Sequence, residues 1–152
     1  MNMKASGKFV PHNGKEPSPQ EINVLVTLFN QKSFAEAENL ARTMTERFPR
    51  HWAGWKMLSV IFSQAGRNAD ALVPMQKTVA LLPNDAEAHN NLGITLQGLG
   101  RQDEAEASYR RAIKINPQYA QAHSNLGSVL QQRGQLDAAE ICYRRALQIN
   151  PE

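Results

Sequence analysis

The chain has a single cysteine, Cys142, among its 152 residues, which excludes an internal disulfide framework and leaves no CxxC or Cys/His ligand spacing. Its expected role is that of a small apolar residue in a helix. Long hydrophobic runs are missing too: none approaches the roughly 20 apolar residues that cross a bilayer, and the N-terminus lacks the apolar core of a signal peptide. A cytoplasmic location is the resulting expectation. There is no nucleophile elbow, no phosphate-binding glycine loop and no HExxH. The carboxylates of Asp103, Glu104 and Glu106 fall at the start of a predicted helix, where they complement its dipole. We therefore expect a chain that is not an enzyme by itself and that needs no cofactor or metal.

A charge excess is nearly absent from most of the sequence. The net charge is +3, and residues 1–16 carry +2 of it through Lys4, Lys8 and Lys15 against Glu16. Proteins that track phosphates need a basic stripe on one face. The only basic doublets, Arg110-Arg111 and Arg144-Arg145, each follow a glutamate placed four residues before the first arginine, Glu106 and Glu140. That spacing favours intrahelical ion pairs on a solvated face, so no nucleic-acid partner is expected.

What is present is a period. Pro49, Pro83, Pro117 and Pro151 stand 34 residues apart, and Ala37, Ala71, Ala105 and Ala139 keep the same register. So do Leu28, Phe62, Leu96 and Leu130, and Val24, Leu58, Leu92 and Leu126. A unit of this length is a helix pair that cannot bury its apolar face alone, so neighbours stack into a solenoid. The predicted fold is all-α, with units at 18–51, 52–85, 86–119 and 120–152 forming one domain. Residues 1–17 read as a flexible N-terminal leader, with Phe9-Val10 as the only apolar pair in residues 1–16.

Each unit reads as two helices: A at 18–31, 52–65, 86–99 and 120–133, and B at 34–47, 68–81, 102–115 and 136–149. Ser18 and Glu21 form a capping box around Pro19 at the first start. Gly66, Gly100 and Gly134 stop helix A in the left-handed conformation; Lys32 takes that place in the first unit, so its turn is expected to be less regular. Pro74 lies inside a predicted helix, where a kink is expected through loss of the bond to Asp70. Gly93 and Gly127 lie mid-helix at a cost of roughly 1 kcal/mol each, which close approach of helices A and B would offset.

The series His89, Leu92-Gly93, Leu96, Gly100, Ala105, Tyr109, Ala112, Pro117, repeated as His123, Leu126-Gly127, Leu130, Gly134, Ala139, Tyr143, Ala146, Pro151, resembles the tetratricopeptide repeat family. Unit two keeps Trp55, Leu58, Phe62, Gly66, Ala71 and Pro83, and unit one is recognised mainly by register. The resemblance implies a right-handed α-solenoid whose A helices line a concave groove that holds a protein partner. It points to Asn23, Lys56, Asn90, Asn91, Gln121, Ser124, Asn125, Ser128, Gln131 and Gln132 as peptide-binding candidates. A clamp for a partner's terminal carboxylate does not fit, since Lys56 is the only groove cation. Asn91-Leu92-Gly93 and Asn125-Leu126-Gly127 look like the superhelix of O-linked N-acetylglucosamine transferases, where an asparagine ladder grips an extended backbone. Asn23 matches that ladder and Met57 interrupts it.

Two roles remain open for these asparagines: a ladder for a bound backbone, in which each amide offers donor and acceptor, or a bridge between neighbouring A helices. His89 and His123 replace the packing aromatic with no carboxylate or cysteine cluster beside them, which favours packing over zinc. The apolar patch of Ile22, Val26, Phe29, Met57 and Val60 fits either a ligand pocket or a surface covered by Phe9-Val10. The sequence closes directly after a helix B carrying Tyr143 and Leu147. Repeat arrays need capped ends. Three readings follow: a peptide-binding module, the substrate-recognition part of a larger glycosyltransferase-like enzyme, and a scaffold that self-associates end to end.

Overall fold

A computed structural model describes residues 16–151. The leader, with the cover proposed for Phe9-Val10, therefore lies outside the described residues apart from Glu16 and Pro17, and Pro17 is buried. Eight α-helices follow: α1 Pro19–Asn30, α2 Phe34–Arg47, α3 Trp52–Gln64, α4 Asn68–Leu81, α5 Ala86–Gly98, α6 Gln102–Ile115, α7 Ala120–Gln132 and α8 Leu136–Ile149. The even-numbered helices keep the expected boundaries. The odd-numbered ones end one residue earlier, because Gln31, Ala65, Leu99 and Arg133 act as C-caps, and α1 also starts one residue later, after its N-cap Ser18.

The turn after α1 corrects an expectation. Lys32 adopts φ 60°, beside 70°, 75° and 75° at Gly66, Gly100 and Gly134. The closing bond from Ser33 N–H to the Leu28 carbonyl, 2.9 Å, repeats as Arg67 to Phe62, Arg101 to Leu96 and Gln135 to Leu130. Helix packing on both sides fixes the turn, so lysine is held in a conformation that costs a residue with a Cβ roughly 1–2 kcal/mol. The turn is as regular as the rest. Helix α4 extends through buried Pro74, whose carbonyl accepts the Thr78 hydroxyl at 2.8 Å.

Consecutive helices pack on one another around two groups of buried side chains. Leu25, Ala37, Ala41, Met44, Leu58 and Phe62 centre the first, and Leu96, Tyr109, Leu126, Val129 and Leu130 the second. One pair of positions sets how closely helices approach within a unit. A Cβ on Gly93 would come within 2.5 Å of the Tyr109 ring, and one on Gly127 within 2.8 Å of the Tyr143 ring. In register, unit two has Ser59 and Met75, and unit one has Leu25 and Ala41, all buried. As the B-helix side chain shrinks from tyrosine to methionine to alanine, the A-helix partner grows from glycine to serine to leucine. Volume at the contact is conserved while the sequence diverges.

Units are stapled to one another by charge. Glu38 on α2 accepts from Arg67 at 3.2 Å, and Glu106 on α6 accepts from Arg133 at 2.8 Å, both arginines lying at the next unit's helix turn. Glu106 also pairs with Arg110, as its spacing predicts. It is buried, however, so the pair is more than a solvated decoration.

Candidate functional site

The odd-numbered helices lie side by side, and the space between α1 and α3 forms a groove of about 230 Å³. Its lining is Ile22, Leu25, Val26 and Phe29 from one helix and Trp52, Ala53, Lys56, Met57 and Val60 from the other. Eight of the nine are apolar, and Val26 and Trp52 remain 42% and 38% exposed, so a sizeable apolar surface faces water between the two helices. Positions three and four apart on each helix present this stripe. The five-residue patch read from the sequence is thus brought together. Trp52 escaped that reading, although its spacing of four and eight from Lys56 and Val60 places it on the same face.

The one charged side chain in the groove is neutralised. Lys56 Nζ lies 3.2 Å from Asp85 and 3.6 Å from Glu87, which stand at the start of α5. Asp85 also caps that helix, accepting from Ala88 N–H at 3.1 Å. Burial pushes its carboxyl up, but the Ala88 bond and Lys56 outweigh this and hold it below its ordinary range. The groove rim therefore carries two carboxylates against one ammonium, with Glu87 well exposed.

The amide candidates do not assemble into one row. Asn125 donates to buried Asn90 at 2.9 Å across α7 and α5, and accepts from Gln121 at 3.0 Å. This is the bridge between neighbouring A helices. Gln131 accepts from the Tyr143 hydroxyl at 2.9 Å, as Gln97 does from Tyr109, and Gln132 accepts from Gln102 at 2.9 Å. Asn91 borders a small hollow of about 140 Å³ with Val60, Gln64 and Ile94. Asn23 is exposed on α1 and Ser128 is half-buried on α7. Gln121 and Ser124 line a separate cleft of about 420 Å³ between α7 and α8, with Tyr143 and Leu147. Only Lys56 of the ten lies in the apolar groove.

The histidines have structural partners. His89 Nε2 is 3.1 Å from the Pro83 carbonyl and His123 Nε2 is 3.0 Å from that of Pro117. Trp55 Nε1 does the same to Pro49 at 3.0 Å. A ring N–H thus ties helix A to the proline that closes the preceding unit, which explains why histidine can stand for the aromatic. Among the described residues no group of three or more His, Cys, Asp or Glu is placed to hold a metal, and no helix is long and apolar enough to cross a membrane.

Comparison with known proteins decides the class. The tetratricopeptide repeat pattern matches residues 86–119 and 120–152, and a second pattern of the same description matches 27–86. The chain belongs to the tetratricopeptide repeat family. Among solved structures it is similar to that described as the crystal structure of MamA, at 25% identity over 84% of this chain and 75% of the other, with a TM-score of 0.80. MamA residues 41 to the end from Desulfovibrio magneticus RS-1 give 18% identity, 91% and 77% coverage and a TM-score of 0.80. A double mutant of MamA RS-1 gives 18%, 91% and 76%, with 0.82. Comparison with curated proteins gives no match. The shared architecture is that of a tetratricopeptide solenoid, a protein-interaction scaffold.

Proposed function

We propose that residues 18–152 act as one binding module that holds an extended segment of another protein along the A helices, with a bulky apolar side chain seated between α1 and α3. The observation that carries this reading is the α1–α3 groove, whose lining is apolar but for an ion-paired Lys56. Extended segments gain affinity from a few anchors in preformed pockets, because the receptor is not reordered on binding. The amides contribute less than a free ladder would. Asn125 already makes two hydrogen bonds within the protein, which leaves Asn91 as the ladder position next to the groove.

A peptide-array screen tests this. The native chain is compared with Val26→Asp/Met57→Asp and with Asn91→Ala/Asn125→Ala, each checked for native helix content. The groove variant is expected to lose about tenfold or more in signal, as a charge placed in an apolar pocket lacks a partner. A smaller loss is expected for the asparagine pair. Retention of every spot by the groove variant contradicts the reading.

A further inference from the structure

We infer that the small hollow between α3 and α5 is a second binding site, which receives a short hydroxyl or amide side chain (serine, threonine or asparagine) of the segment anchored in the α1–α3 groove. The inference rests on that groove reading and adds a polar requirement to it.

The hollow lies where unit two departs from the units after it. In units three and four a glutamine on helix A accepts from a tyrosine on helix B, Gln97 from Tyr109 and Gln131 from Tyr143, each at 2.9 Å. In the same register unit two has Ser63 and Met75. The tyrosine hydroxyl is replaced by a thioether, and the glutamine amide by a much shorter serine. Both side chains line the hollow of about 140 Å³, together with Val60, Gln64, Asn91 and Ile94.

This exchange strands a hydrogen-bonding group. Ser63 Oγ is buried and has no partner among the described residues. Gln102 Oε1 is in the same state, but the amide nitrogen of that side chain still donates to Gln132 at 2.9 Å. A buried hydroxyl without a partner is costly, so a ligand group that supplies the missing bond is favoured over one that cannot. Asn91, half-buried on α5, adds a donor and an acceptor to the same hollow. Three of the six lining residues are thus polar, against one of nine in the groove, and Val60 is the wall that the two sites share.

Size and spacing narrow the occupant further. The hollow, at about 140 Å³ beside about 230 Å³ for the groove, suits a short side chain and leaves the bulky one to the groove. Met57 in the groove and Ser63 in the hollow stand six residues apart on α3, about 9 Å of helix. Three extended residues span about 10 Å. With the sideways step from one helix gap to the next, the polar residue falls three or four positions from the apolar anchor.

The test is fluorescence anisotropy with labelled peptides that hold one phenylalanine or leucine and vary at the third and fourth residues from it through serine, threonine, asparagine, alanine and valine. The native chain is expected to bind the serine, threonine and asparagine peptides about fivefold or more tightly than the alanine and valine ones. Ser63→Ala should abolish that preference while binding the alanine peptides as the native chain does. Ser59→Gly/Ser63→Gln/Met75→Tyr, which installs the residues of units three and four, should fill the hollow and abolish the preference too, with native helix content as its control. Equal binding of polar and apolar peptides by the native chain overturns the inference, since the hollow then holds water only, and leaves the groove reading intact. A preference that survives Ser63→Ala overturns it as well. If no peptide binds the native chain, or none loses binding in Val26→Asp/Met57→Asp, the groove reading falls and this inference with it.

Discussion

Gly93 shows at a single position how this sequence divides its constraints. Its φ is ordinary, so its role is spatial: the Tyr109 ring occupies the place of its Cβ, and Tyr109 is fully buried with its hydroxyl bonded to Gln97 at 2.9 Å. Gly93→Ala is expected to destabilise the chain by about 1–3 kcal/mol, read as a lower urea midpoint, even though alanine is the better helix former. Lys32 is the opposite case, with space but the wrong backbone. Lys32→Gly is expected to raise stability by about 1 kcal/mol in the same assay. At Asn125 the bridge to buried Asn90 has its own consequence. Asn125→Ala leaves the Asn90 carbonyl oxygen without its donor, and a loss of about 1–3 kcal/mol is expected. A variant of unchanged stability would restore Asn125 to the role of a free ligand contact.

Among the elements, α1 is held by a capping box and an ion pair. Glu21 is 1% exposed, accepts from Ser18 N–H at 2.8 Å and pairs with Arg47 at 2.7 Å. Burial pushes its carboxyl up, yet the Ser18 bond and Arg47 together hold it below its ordinary value. A carboxyl lowered in the folded state stabilises above its unfolded pKa and loses that contribution as pH falls through the folded one. The free-energy difference between native and Glu21→Gln chains should thus be full at neutral pH, about 1–3 kcal/mol, and should shrink as pH falls below about 4. The capping box was readable from Ser18 and Glu21 because both partners are local. The ion pair with Arg47 was not, since 26 residues separate the two and only the packing of α2 on α1 brings them together.

Across the whole molecule, the 34-residue period specified the helices almost to the residue, because glycine stops and closing prolines recur at fixed offsets. The site was less legible. Five apolar groove residues, Ile22, Val26, Phe29, Met57 and Val60, follow helical spacing and were found, whereas the fate of an amide depends on what faces it across a unit boundary. Asn125 and Asn91 share a register position, yet one meets buried Asn90 and the other a hollow beside Val60. Divergence between units, which obscures the repeat in the first half, is also what opens an apolar groove there. The most direct test is chemical-shift mapping with an array-selected peptide on the native chain. Perturbations centred on Ile22, Val26, Phe29, Trp52 and Met57 are predicted. Perturbations confined to the even-numbered helices or to the α7–α8 cleft would contradict the account.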